Sequence, residues 1–137
     1  MPIPKTEEYV FYQGERLQVE FYFTETAKLP AKEYMEKTSL QVKIKLAALV
    51  KYVADVGEIL DIRKFRLADS KERLYEFKPS GHSFFNFFCE GRKIIITNAY
   101  MKKSRRIDKN ELRKAINMKK DYTRRIKGGT YYGKKKS

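Results

Sequence analysis

Apolar positions along the chain change period several times, and each change predicts an element. Residues 1–17 are mixed and polar, with Gly14 at an expected turn. Residues 19–24 (VEFYFT) are aromatic and β-branched, which predicts a strand. Pro30 then breaks the chain, and residues 31–37 read as one or two helical turns started by that proline. From Ser39 to Leu60 the positions Leu46, Leu49, Val50, Val53, Val56 and Leu60 recur at helical spacing. Ser39 is placed to cap this helix, and Gly57 to weaken or end its last turn. Lys43, Lys45 and Lys51 fall on or beside its wetter side, so the stripe is core packing.

Three strands follow. Residues 74–78 (LYEFK) alternate apolar and polar, Pro79-Ser80-Gly81 is a turn, and residues 83–89 (SFFNFFC) form a second, aromatic run. Glu90-Gly91-Arg92 is a tight connection to residues 93–101 (KIIITNAYM), so the three runs form an antiparallel meander. The unbroken Ile94-Ile95-Ile96 predicts burial on both faces and a central place in the sheet. A last helix opens at Asp108 and Glu111, which resemble a capping box. It carries Leu112, Ala115, Ile116, Lys119, Tyr122 and Ile126 on one face and stops at Gly128-Gly129.

The order is strand, helix or helices, meander, helix. It predicts an α+β protein, a small twisted, antiparallel-rich sheet packed on two N-terminal helices and a C-terminal helix. At 137 residues one domain is expected, over 1–126, followed by a mobile basic tail of Gly, Tyr and Lys over 127–137. Cys89 is the only cysteine, which excludes an intrachain disulfide and fits a reducing, cytoplasmic compartment. Met1-Pro2-Ile3-Pro4-Lys5 has no apolar run, so no signal peptide is expected, and no stretch is long enough to span a membrane.

Charge changes this picture most. The net charge is +14, and residues 100–137 hold fifteen Lys/Arg against three Asp/Glu, a net of +12. The other 99 residues carry only +2. Such polarisation predicts a polyanionic partner. With one His and one Cys, a Cys/His zinc cluster is excluded, and no phosphate-loop or dinucleotide motif is present, so no metal or small-molecule cofactor is expected.

Cations gather around the meander. Arg63, Lys64 and Arg66 precede its first strand, Lys78 ends that strand, and Lys102, Lys103, Arg105 and Arg106 follow its third. First-strand and third-strand ends share one edge of an antiparallel meander, so these groups are expected to converge into a phosphate site. His82, the only histidine, lies at the turn nearby. RNA carries its own nucleophile, the 2′-hydroxyl. Cleavage then needs a base, cations for the crowded phosphorane and an acid for the leaving 5′ oxygen. A lysine whose pKa is lowered by neighbouring cations can serve as that base.

The ordered series Lys64-Phe65-Arg66, Leu74-Tyr75-Glu76-Phe77-Lys78, Phe84 to Phe88, Ile94 to Ser104 and Glu111-Leu112-Arg113-Lys114-Ala115 resembles the RelE/ParE toxin superfamily, and within it the HigB-like, phage-derived branch. The Asp121-Tyr122 pair fits as well, and the resemblance spans about residues 19–125. It implies the toxin of a toxin–antitoxin pair, a ribosome-dependent mRNA endoribonuclease neutralised by a cognate antitoxin protein. Its catalytic positions fall on Lys64, Lys78, Lys102 and Lys103, with His82 beside a family arginine that is here Ser83-Phe84. RNA-binding positions fall on Arg63, Arg66, Arg105 and Arg106, with Tyr100 and Tyr122 as candidates to stack on a base. Where the family usually has Arg, this chain has Lys78, which gives up the bidentate fork on phosphate. The alternatives are a non-catalytic RNA- or ribosome-binding module, and a ParE-like inhibitor of gyrase. An antitoxin is expected to be acidic or amphipathic, and to sit on the basic face or in the groove beside the C-terminal helix.

Overall fold

A computed structural model describes residues 2–57 and 61–133. The elements in chain order are α1 (Thr6–Tyr9), β1 (Val10–Gln13), β2 (Gln18–Phe21), α2 (Pro30–Glu36), α3 (Leu40–Val56), β3 (Phe65–Asp69), β4 (Leu74–Phe77), β5 (His82–Cys89), β6 (Lys93–Met101) and α4 (Lys109–Lys127). The protein is α+β, with one six-stranded sheet in the order β1-β2-β6-β5-β4-β3.

Local chemistry explains most boundaries. Pro30 occupies the first turn of α2, where its missing N–H costs nothing. Ser39 Oγ accepts from the Val42 N–H at 3.3 Å and caps α3. Gly57 closes α3 in the left-handed region at φ 94°. Residues 58–60, including Leu60, lie outside the described part. Asp108 caps α4 by accepting from the N–H groups of Asn110 and Glu111. Glu111 does not complete a capping box; its side chain pairs with Lys114 instead.

The three-stranded meander forms as expected, β4 to β5 to β6, antiparallel throughout. β6 lies between β5 and β2, and Ile94, Ile95 and Ile96 are fully buried. The sheet is larger than the pattern predicted. The N-terminal strand pairs parallel to β6, with Val19 opposite Ile94, and β1 and β3 are added at the two edges. Both added strands are short, and residues 10–13 show no clean alternation, so neither stood out from its surroundings.

Successive side chains on β5 point to opposite faces. Tyr34 of α2 meets His82 and Phe84, whereas Tyr122 of α4 meets Phe87 and Cys89. α2 and α4 therefore cover opposite faces. The expected mobile tail is corrected over residues 127–133. Tyr131 is 1% exposed, stacks on Phe23 at 4.1 Å between ring centroids, and accepts a hydrogen bond from the Phe23 N–H at 3.0 Å. Arg125, buried beneath the same ring, donates to the Phe23 carbonyl at 2.8 Å. These aromatic contacts outweigh the solubility of the flanking lysines. Among the described residues, no helix is long and apolar enough to cross a membrane.

Candidate phosphate site

The site is organised by a carboxylate. Glu76 lies on β4 directly opposite Arg66 on β3, and it is fully buried. A buried carboxylate persists as an anion only when partners surround it. Here Ser83 Oγ donates to its Oε1 at 2.7 Å, Lys102 Nζ donates to the same oxygen at 3.2 Å, and Arg66 Nε donates to Oε2. Burial pushes the Glu76 pKa up, but hydrogen bonds from Ser83 and Arg66 and the charges of Lys102 and Arg66 outweigh it. The net result is a pKa below the ordinary carboxylate value.

Hydrogen bonds tie the three cationic segments together. The Lys102 N–H donates to the Gly81 carbonyl at 2.8 Å, which fixes the end of β6 beside the β4–β5 turn. Arg66 also donates to the Arg105 carbonyl at 3.1 Å and ties the 102–106 loop to β3. The Lys78 N–H donates to the Lys64 carbonyl at 2.8 Å, and Lys78 Nζ to the Ile62 carbonyl at 3.3 Å. Lys78 thus stands half-buried at the end of β4, two residues from Glu76 and within the fields of Arg66 and Lys102. Burial comes first in lowering its pKa from 10.5, followed by the charge of Arg66; Glu76 opposes the shift, and Lys102 adds to it.

Not every expected residue joins this cluster. Arg63 is turned to Asp61 at 3.0 Å, and its side chain is exposed. Lys64 contributes its backbone to the cluster, and its side chain is exposed. Arg105 likewise contributes its carbonyl. Lys103 and Arg106 line a neighbouring hollow of about 290 Å³, together with Tyr100 and Glu111. Tyr100 is half-buried and stacked on Phe85 at 5.7 Å, and its hydroxyl accepts from the Asp108 N–H at 3.1 Å.

Two expectations are corrected. His82 points to the α2 face, where Nδ1 meets the Tyr34 hydroxyl at 2.6 Å, while its neighbour Ser83 faces Glu76. Strand alternation separates the imidazole from the cations, and burial lowers its pKa. Tyr122 is 5% exposed, edge-on to Phe87 and Tyr131, so it stacks on protein and offers no face to a base.

Glu76 was missed because LYEFK reads as a strand with glutamate on its wet side. Recognising β3 would have exposed it, since Arg66 then falls opposite. Together the fold and site define an α+β protein carrying a buried, carboxylate-anchored cation cluster at one end of its sheet. Neither a scan of protein-family models nor a search of curated proteins found a match.

Proposed function

We propose that this chain is a RelE-like toxin of the HigB-like type, a ribosome-dependent mRNA endoribonuclease that uses the RNA 2′-hydroxyl as nucleophile without metal. The observation that carries the reading is Lys78, an amine of lowered pKa held beside two cations that a buried carboxylate keeps in place. In the proposed reaction the neutral Lys78 amine takes the 2′-hydroxyl proton, and the oxygen attacks the adjacent phosphorus. Arg66 and Lys102 would stabilise the phosphorane charge, and Lys103, reaching from the neighbouring loop, would protonate the leaving 5′ oxygen. The products are a 2′,3′-cyclic phosphate and a free 5′-hydroxyl, so DNA is not cut. The surplus of +12 on residues 100–137 supplies the attraction to ribosome-bound mRNA. A cytoplasmic location and a cognate antitoxin belong to the same reading.

One observation favours a second reading, a non-catalytic RNA- or ribosome-binding module. Glu76 takes up part of the charge of both Arg66 and Lys102, and Ser83 stands where the family carries arginine. The readings separate by primer extension on cellular mRNA after brief induction, comparing wild type with a Lys102→Ala/Lys103→Ala variant. Codon-phased cuts that vanish in the variant are expected. Absence of cuts from soluble wild-type protein would overturn the enzyme reading and leave the binding module or a gyrase-directed toxin.

A further inference from the structure

The inner side of α3 is buried through Val42, Leu46, Val50, Val53 and Ala54, yet its outer side is apolar as well. Leu40 is 71% exposed, Ile44 59%, Tyr52 52% and Val56 44%. Val56, read from the sequence as part of the core stripe, lies on this outer side instead. Ala47 and Ala48 are exposed in the middle of the helix. Of the ten large apolar side chains exposed among the described residues, these four fall on one helix. They are spaced i, i+4, i+12 and i+16, with Ala48 at i+8, and so form one unbroken ridge about 24 Å long. Apolar side chains exposed singly are ordinary, whereas a continuous row of them marks a contact surface.

Three features of the ridge point to its occupant. Read outward from Ala48 it is the same in both directions, two large side chains on each side of a small one. A two-fold interface needs that self-complementarity, because residue i of one copy meets residue j of the other and the reverse. Charge on the helix is sparse: Lys51 and Asp55 pair with each other at 2.9 Å, which leaves Lys43 and Lys45. Such a surface gives an acidic or basic partner little to select. The third feature is placement. α3 packs against β2 and β4, strands on either side of the β5–β6 pair that α4 covers, so α3 shares the α2 face of the sheet. Two chains of charge +14 that met through α3 would keep both sheets between their basic α4 helices, well beyond the Debye length of about 8 Å. The Glu76 cluster also faces away from α3, since its partner Ser83 points opposite to His82.

We propose that the outer side of α3 is a homodimer interface, in which two copies of this chain pack their ridges antiparallel across a two-fold axis at Ala48. Ile44 of one copy meets Tyr52 of the other on each side of the axis, with Leu40 and Val56 at the margins. The alanines at the centre let the helix axes approach to about 8 Å, and ridges of this i±4 class pack at a crossing angle of about 50°. One helix pair buries less than the roughly 800 Å² per partner of a standard interface, so a concentration-dependent dimer with a Kd on the order of micromolar is expected. Both candidate phosphate sites stay open in this arrangement, and the proposal is independent of RNA cleavage.

Sedimentation velocity of the full chain over about 1–200 μM tests it, in about 0.5 M salt to suppress association bridged by polyanions. A monomer–dimer equilibrium is expected. Ile44→Glu should weaken it by about tenfold or more, whereas Ile126→Glu, on α4 at the opposite face and 41% exposed, should change it less than about twofold. Circular dichroism checks that both variants, altered at exposed positions, keep their fold. The position of the axis is read separately with Ala48→Cys. Under copper–phenanthroline oxidation it should form a disulfide between chains, and wild type, with Cys89 alone, should not. A chain that stays monomeric over the whole range, dimers indifferent to Ile44→Glu, or an Ala48→Cys chain that does not cross-link would each overturn the proposal. A monomeric wild type that binds phosphatidylcholine vesicles, unlike Ile44→Glu, would overturn it in favour of a membrane surface.

Discussion

Two buried glutamates, Glu76 and Glu20, sit towards opposite ends of the sheet, and their surroundings differ in a way that separates function from scaffold. Glu76 is held by two cations and a hydroxyl: Arg66, 28% exposed at its side chain, Lys102 at 9%, and the buried Ser83. Glu20 is held under the C-terminal segment by the Tyr132 hydroxyl at 2.7 Å, by Gln18 and by a single cation, Lys93, at 3.6 Å. Burying a carboxylate is costly in both places. At Glu20 the outcome is a latch, which fixes residues 128–133 to the sheet. At Glu76 it is a set of oriented cations next to a lysine of lowered pKa, an arrangement that packing alone does not require.

The largest effect expected from breaking the Glu20 end is on stability. Tyr131→Ala removes a ring stacked on Phe23 and Arg125, and should cost about 3–5 kcal/mol in denaturant unfolding. The folded fraction should still cut RNA at the wild-type rate, and a loss of cutting beyond the folded fraction would blur the division. Next comes Glu76→Gln, which leaves Arg66 and Lys102 facing a neutral group and should cost about 2 kcal/mol. The sign of its pH dependence follows from the lowered pKa of Glu76. The stabilisation is present above the ordinary value of 4.5 and is lost as pH falls through the depressed folded value. Acid unfolding followed by circular dichroism should therefore be less steep in the variant. Because Glu76 raises the Lys78 pKa, the same change should also move the pH–rate limb of cleavage downward. Tyr132→Phe removes hydrogen bonds to Glu20 and Tyr122 and should lower stability by about 1 kcal/mol with no change in cleavage. The smallest effect is that of His82→Asn. Its ring faces α2, so cleavage should stay within about twofold of wild type, and a larger loss would return the histidine to the site.

Much of this molecule was legible in its sequence where the signal is local. Ser39, Pro30 and Asp108 open their helices as read, Gly57 and Gly128 end theirs, and β6 occupies the predicted residues. What escaped is non-local. β1 and β3 have only four and five residues, and the partner that makes each a strand lies across a turn. The parallel pairing of β2 with β6 joins residues more than seventy positions apart and leaves no mark in either segment. At the candidate site, Lys78, Lys102 and Arg66 were read from charge and topology alone. The carboxylate that arranges them was hidden, because alternation assigns a strand glutamate to solvent unless its cross-strand arginine is known. The tail misled in the opposite sense: its lysines signal solvation, while Tyr131 and Tyr132 among them pack.

The most direct test of the account is single-turnover cleavage of mRNA on purified ribosomes, measured against pH for wild type and Lys78→Met. The account predicts a wild-type rate that rises with pH and levels off below the ordinary lysine value of 10.5. It predicts a loss of about a hundredfold or more in the variant, with unfolding unchanged. A Lys78→Met protein that cuts at the wild-type rate with the same pH profile would contradict it, and would move the chemistry away from the Glu76 cluster.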